Sequence, residues 1–243
     1  DENRQFYDIG AVLSSDFYRI YNKDNPAAAP VKHTIIPELR YEYVPDSDQS
    51  EYPDFDSIDR LTPENRLTLS LTHLLTAKYV RNRGSEKISN ESRDRLSRTS
   101  YNRFFRFRLE QSYNFDDWET AEWRASENES HFEPLYAELD LTPRKLVSFH
   151  AEAEWSYEQN CLLSHLFSGR LHNSRGDRLA VEYRYEKDFR DSINLNAGIA
   201  LTSRIRVSGI YERNLENDTD IEKGVQFLYQ SPCWSAAVSY VDD

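Results

Sequence analysis

Charged side chains recur at every second position in three stretches of the sequence. They are Arg106, Arg108, Glu152, Glu154, Glu182, Arg184 and Glu186. Guanidinium groups donate several hydrogen bonds and carboxylates accept them, so a surface carrying both binds polar groups without any covalent chemistry. Because alternate residues of a β-strand face the same side, we expect these side chains to line one face of a sheet. That face is interpreted either as the wet lumen of a barrel or as the solvated outer face of a sheet.

Residue patterns typical of catalysis are absent from the sequence. It contains no glycine-rich phosphate loop, no Gly-x-Ser-x-Gly turn and no His-Glu-x-x-His helix. His165 and His172 fall on one predicted strand but seven positions apart, so they face opposite sides and do not share a metal ion. The sequence therefore predicts neither an enzyme, nor a cofactor, nor a metal site. A membrane barrel enzyme that brings Ser, His and acidic residues together near a loop stays open as an alternative.

The two cysteines give a weak indication of disulfide chemistry. Cys161 and Cys233 lie 72 residues apart and lack the spacing of metal ligands. Cys161 is interpreted as an incidental thiol. A bridge between the two cysteines requires a Cα separation below about 7 Å, which the sequence does not reveal.

Apolar and polar residues alternate along most of the chain, with the period of two that indicates β-strands. The clearest case is 147–157, where Phe149 and Trp155 share one face and Glu152 and Glu154 share the other. About twelve strands are predicted. They cover 5–20, 31–44, 67–77, 105–115, 134–142, 147–157, 163–173, 178–186, 193–201, 204–213, 221–230 and 233–241.

The predicted connections are of two kinds. Tight turns are expected at 142–144, 174–177 and 202–203, and a small irregular connection at 26–30. Long polar loops are expected at 45–65, 81–100 and 116–131. Outer-membrane barrels combine short turns at the periplasmic end with long loops at the cell surface, so this contrast favours such a barrel.

Composition narrows the class of protein further. The formal net charge of −12 argues against binding nucleic acid, and the strongly polar sequence has no apolar run long enough for a membrane helix. Several alternating segments exceed the usual length of sandwich strands. Gln111 and His73 interrupt the apolar faces of the segments 105–115 and 67–77. The expected fold class is all-β, an antiparallel transmembrane β-barrel. A soluble β-sandwich that acts as a binding module is the alternative.

Several segments resemble one known family. The run His33-Thr34-Ile35-Ile36-Pro37-Glu38-Leu39-Arg40-Tyr41-Glu42-Tyr43-Val44-Pro45, with Phe55-Asp56-Ser57-Ile58-Asp59-Arg60 after it, is similar to motifs of LptD-type LPS-assembly proteins. Further similar segments follow in the same order at 65–68, 106–113, 134–139, 176–185 and 224–234. The resemblance covers nearly the whole chain and implies that residues 1–243 are a single segment of a larger outer-membrane barrel, without the family's N-terminal periplasmic domain.

The resemblance also implies a function. Family members receive lipopolysaccharide (LPS) from a periplasmic protein bridge and insert it into the outer leaflet of the Gram-negative outer membrane. Their barrel holds an LptE-like plug lipoprotein, and the implied partners are LPS, that lipoprotein, the periplasmic bridge and outer-membrane lipid. Cys233 falls where the family carries a cysteine that forms a disulfide to the periplasmic domain. Cys161 has no matching position, and a general porin remains the alternative among outer-membrane barrels.

Overall fold

The chain forms one antiparallel β-sheet in the computed structural model, which describes residues 7–22, 29–46, 63–82, 97–115 and 131–242. Neighbours in the sequence are neighbours in the sheet, so the order is a meander from the first strand to the last. The predicted all-β antiparallel fold is confirmed. No helix in the described segments is long and apolar enough to cross a membrane.

Within the described segments, thirteen strands make up the sheet. They are β1 (Ile9–Ser14), β2 (Phe17–Tyr21), β3 (Val31–Val44), β4 (Glu64–Asn82), β5 (Ser97–Asn114), β6 (Leu135–Arg144), β7 (Val147–Ser156), β8 (Cys161–His172), β9 (Arg178–Glu186), β10 (Arg190–Ala200), β11 (Ile205–Asn214), β12 (Thr219–Gln230) and β13 (Ser235–Asp242).

The first predicted strand, 5–20, is divided into β1 and β2. Both segments pair with β3 in one continuous register, and the two residues between them face Ile36 and Pro37. Pro37 has no N–H to donate across the ladder, although its carbonyl oxygen still accepts from Ser15 N at 3.2 Å. The lost donor explains the interruption, so the thirteen segments occupy twelve positions across the sheet.

The longest strands extend beyond the predicted ones. β4 has 19 residues and β5 has 18, and they pair as far as Asn82 and Ser97. The ends of both strands are polar and were therefore expected in the loop 81–100. Backbone pairing does not depend on side-chain polarity, so the ladder continues past the end of the alternating pattern.

The connections lie at two ends of the sheet. At one end, which we name end A, strands β3, β5, β7, β9 and β11 finish. At the opposite end, which we name end B, strands β4, β6, β8, β10 and β12 finish. Consecutive connections of a meander lie at opposite ends. The β3–β4 and β5–β6 connections are thus at end A, while the β4–β5 connection is at end B with the tight turns. The three long connections therefore do not share one end. The sequence had suggested long loops at one end of the sheet and short turns at the other.

The predicted tight turns are present at end B. The chain turns at 145–146 rather than at 142–144, because β6 continues through a register shift to Arg144, and it turns at 174–176 and 201–204 as expected. Gly176 has φ of +94°, a value that glycine adopts without steric cost. Most of the predicted loops 45–65, 81–100 and 116–131, the connection 26–30 and the motif at 55–60 lie outside the described residues.

The distribution of exposed side chains is the reverse of that in a soluble protein. Leu69 and Phe167 are 57% and 52% exposed, whereas Thr68 and Ser112 are only 8% and 7% exposed. Among the described residues the buried apolar side chains are just Ala77 and Ala200. Apolar side chains of this size are stable on an outer surface when that surface faces lipid, while a concave polar face holds water.

Candidate functional site: the polar face of the sheet

Residues that pair directly across neighbouring strands lie on the same face of the sheet. The observed register therefore places the charged residues on one side. From β3 to β12, away from the register shifts, the even-numbered residues form this side, which we name the polar face. Arg108 faces Glu138, Glu138 faces Glu152, and Glu182 faces Asn194. All seven charged residues singled out in the sequence lie on it, on the three strands β5, β7 and β9.

The densest charge network on the polar face surrounds Arg106. Its Nη1 donates to Asp140 Oδ2 at 3.2 Å and also pairs with Glu138. His150 lies directly opposite Asp140 and its Nδ1 is 2.8 Å from Asp140 Oδ1, while its Nε2 is 2.8 Å from Glu152 Oε1. Five charged or titratable groups on three strands thus form one hydrogen-bonded network.

The other predicted residues are paired more locally. Arg108 pairs with Glu110 two positions along its own strand, and Arg184 Nη2 donates to Glu182 Oε1 at 2.9 Å. Glu154 accepts a 2.9 Å hydrogen bond from the hydroxyl of Ser164 on the next strand. Glu186 faces Arg190 and Ser164 in the register. The polar face therefore carries charges of both signs rather than a patch of one sign.

Three groups in the Arg106 network have the geometry of metal ligands. One ligand atom from each of Glu138, Asp140 and His150 lies within 4.8 Å of the other two. The sequence reasoning missed them as a cluster because β6 and β7 had to be aligned first, although the carboxylates alternate along β6. Since Arg106 already supplies a positive charge to both carboxylates, the arrangement is an ion-pair network.

A cavity of about 420 Å³ opens on the polar face near end A. Its wall includes three arginines, four glutamates, Thr68, Ser112 and Tyr136. The hydroxyl oxygens of Thr68 and Ser112 are buried and 3.0 Å apart. The volume is within the range of about 300–1,000 Å³ that is usual for ligand pockets. Of its charged residues, the sequence had pointed to Arg108 and Glu154 only. The alternation of Glu38, Arg40 and Glu42 was the available signal for Arg40 and Glu42.

The opposite, apolar face contains the two polar interruptions noted in the sequence, and both have partners. His73 Nδ1 is 3.2 Å from His33 Nε2, and the two rings stack. Gln111 Nε2 donates to the carbonyl oxygens of Glu133 at 2.7 Å and Ser112 at 3.1 Å. Polar groups that face hydrocarbon need internal hydrogen bonds, and these contacts supply them in part.

Aromatic rings gather where the sheet meets end A. Tyr113 contacts both Phe115 and Phe132, and Phe132 in turn contacts Tyr157. Tyr41 packs on Phe115 while its hydroxyl donates to Asn65 Oδ1 at 3.0 Å. An apolar ring with a hydrogen-bonded polar tip is typical of residues at a membrane interface.

The two cysteines lie at opposite ends of the sheet. Cys161 begins β8 at end A, where its Sγ is 3.6 Å from Lys187 Nζ. Cys233 is exposed in the connection between β12 and β13 at end B. A strand of ten residues spans about 33 Å, and a disulfide requires Cα atoms within about 7 Å. The structure thus excludes the Cys161–Cys233 bridge within one molecule that the sequence left open.

Comparison with known proteins identifies the family. The family model described as "LPS transport system D", LptD, matches residues 2–214, so Cys233 lies beyond the matched part. An LPS-assembly protein LptD from Chromohalobacter salexigens is 39% identical over 61 residues, a match that covers 25% of this chain and 7% of that protein. The match confirms the resemblance seen in the motifs, and the family's fold is an outer-membrane β-barrel. The chain belongs to the LptD family.

Proposed function

We propose that this chain forms part of the wall of an LPS translocon and that LPS passes along its polar face into the outer leaflet of the Gram-negative outer membrane. The observation that carries the proposal is the reversed exposure of the sheet, with buried hydroxyls on one face and large exposed apolar side chains on the other. The first face suits a wet lumen and the second suits lipid. A soluble β-sandwich would bury the apolar face instead.

The polar face is the proposed path of the hydrophilic part of LPS. The lumen-facing residues are the seven identified in the sequence, and the Arg106 network adds Glu138, Asp140 and His150. Ion pairs that neutralise one another present donors and acceptors without a strong local field. Such a wall lets a polar molecule exchange one hydrogen bond for the next as it moves.

The proposed partners follow from the family. They are an LptE-like plug lipoprotein on the polar face, the periplasmic bridge that delivers LPS, and lipid on the apolar face. Cys233 is exposed at end B and is the proposed site of a disulfide to an N-terminal periplasmic domain. End B would then face the periplasm and end A the cell surface. No catalytic step or cofactor is part of this proposal.

The test depletes the native, full-length protein in cells that also carry a second copy of its gene under inducible control. As the protein is withdrawn, surface LPS should fall and LPS should accumulate inside the cell envelope. Unchanged surface LPS would contradict the proposal and favour a general porin. An inducible copy with Arg106, Arg108 and Arg184 reversed to Glu should restore export poorly. A copy with the exposed turn residue Arg204 reversed serves as the control.

A further inference from the structure

The cavity at end A is a concave site of about 420 Å³ on the polar face. Strands β3, β4, β5, β6 and β7 all contribute to its wall, with Arg66, Arg108 and Glu154 among the charged groups. Thr68 and Ser112 form its buried floor. The site is therefore built by several adjacent strands rather than by one loop.

The arginines of this cavity are already neutralised. Arg40 Nη2 is 2.9 Å from Glu38 Oε1, and Arg66 Nη2 is 3.1 Å from Glu42 Oε2. Arg108 pairs with Glu110. Four glutamates against three arginines leave the wall with a formal charge of −1. A phosphate group would have to displace these carboxylates and would meet net repulsion.

Hydrogen-bonding capacity remains at the wall in spite of this pairing. Carboxylates accept through several lone pairs, and guanidinium groups donate through five N–H bonds, so one ion pair does not use either completely. Arg66 Nε is buried without a hydrogen-bond partner among the described residues. The hydroxyls of Thr68 and Ser112 add groups that both donate and accept, and Tyr136 adds an aromatic ring.

From this combination we infer that the cavity binds an uncharged, hydroxyl-rich saccharide and discriminates against phosphorylated sugars. Sugar hydroxyls donate to carboxylates and accept from guanidinium groups, while the apolar side of a sugar ring can pack on Tyr136. The inference rests on the proposed function, since the saccharide would be the uncharged part of LPS. Because end A is the proposed cell-surface end, the cavity would hold this part late in its passage.

The test uses the native-length protein purified with its lipoprotein partner. Oligosaccharide released from the LPS of the same cells is titrated calorimetrically before and after chemical removal of its phosphates, and inorganic phosphate is added as a competitor. The dephosphorylated oligosaccharide should bind at least as tightly as the phosphorylated one, and inorganic phosphate should not compete. Binding of the phosphorylated form alone, competition by phosphate, or no binding of either form would overturn the inference.

A pair of variants locates the binding site. Ser112→Leu fills the cavity and should weaken binding about tenfold, the equivalent of one hydrogen bond to a charged group. Ser192→Leu is the control, because Ser192 is also a buried serine of the polar face, 8% exposed, but lies outside this cavity. Equal losses in both variants would overturn the assigned location. If surface LPS falls in the depletion test but oligosaccharide binding fails, only this inference falls.

Discussion

Arg106 on β5 lies directly opposite Asp140 on β6, and its Nη1 donates a 3.2 Å hydrogen bond to Asp140 Oδ2. The same guanidinium group pairs with Glu138, so it neutralises two carboxylates on the neighbouring strand. Removing it leaves these two carboxylates close together, with the His150 ring beside Asp140 as the remaining described partner. The stability of this part of the sheet therefore depends strongly on Arg106.

Arg106→Leu should lower the free energy of unfolding by roughly 1–3 kcal/mol, the usual loss for hydrogen bonds to charged groups. Arg184→Leu is the matched control, because Arg184 is 42% exposed and, among the described residues, forms its ion pair with Glu182. Its loss should therefore cost less than about 1 kcal/mol. Urea titration of the native-length protein in detergent micelles measures both. Equal losses of unfolding free energy in the two variants would show that the Arg106 network contributes no more to stability than an exposed ion pair.

A new positive charge on β10 should destabilise the protein on the apolar face and be tolerated on the polar face. Leu195→Arg places the charge on the apolar face, where Leu195 is 37% exposed, and at the middle of a bilayer this costs about 2–4 kcal/mol. Asn194→Arg, one residue away on the polar face beside Glu212, should be tolerated. The yield of folded protein in the outer membrane, followed by heat-dependent gel mobility, distinguishes them. Comparable yields would contradict the assignment of the apolar face to lipid.

Asp177 gives the turn between β8 and β9 a dependence on pH. Asn173 Nδ2 donates to its carboxylate at 2.7 Å, Ala200 N donates at 2.8 Å, and Arg175 pairs with it, and these contacts hold the pKa of Asp177 below its usual value of 3.8. A lowered pKa means that the ionised form stabilises the fold. This contribution is complete above pH 3.8 and is lost as the pH falls through the lower, native-state pKa.

Asp177→Asn should therefore destabilise the turn at neutral pH, and the difference from the natural protein should vanish in strong acid. Carboxyl chemical shifts recorded against pH give the native-state pKa of Asp177 directly. A midpoint at or above 3.8 would contradict the described hydrogen bonds. Asp188, in the turn between β9 and β10, is a suitable control position for the same substitution.

The positions of the cysteines predict different redox behaviour. In protein isolated from cells without reducing agent and then denatured, Cys161 should react with a maleimide tag. Cys233 should be protected if it forms the proposed disulfide to a periplasmic domain, and Cys233→Ser should remove the redox-dependent change in gel mobility. Labelling of neither cysteine, with intramolecular cross-linking, would contradict their placement at opposite ends of the sheet.

Strand positions were largely predictable, because alternation of side-chain polarity is a local property. The prediction of 31–44 and 178–186 agrees with β3 and β9 at both ends. The division of 5–20 was not predictable from those residues, because its cause, Pro37, lies on the partner strand. The extension of β4 and β5 was missed for a similar reason, since the paired backbone continues where the side-chain pattern stops.

For the residues of the candidate site, the face of the sheet was predictable from the sequence, but the ion-pair partner of each residue was not. The alternation placed Arg106 and Glu152 on one polar face, as the register confirms. Which carboxylate meets which guanidinium depends on strand alignment, and a shift of two residues would keep every face while changing every pair. Arg66 and the cavity at end A were missed because the wall is shared by five strands.

Pro37 divides the hydrogen bonding between β3 and the edge of the sheet into two parts, and each part can open separately. β1 has six residues and β2 has five, and each is held to β3 by its own short set of hydrogen bonds. Amide hydrogens of the two segments should therefore exchange with solvent at independent rates, since each can detach while the other remains paired. The segment that stays paired preserves the alignment, so the detached one returns to its original partners without slipping.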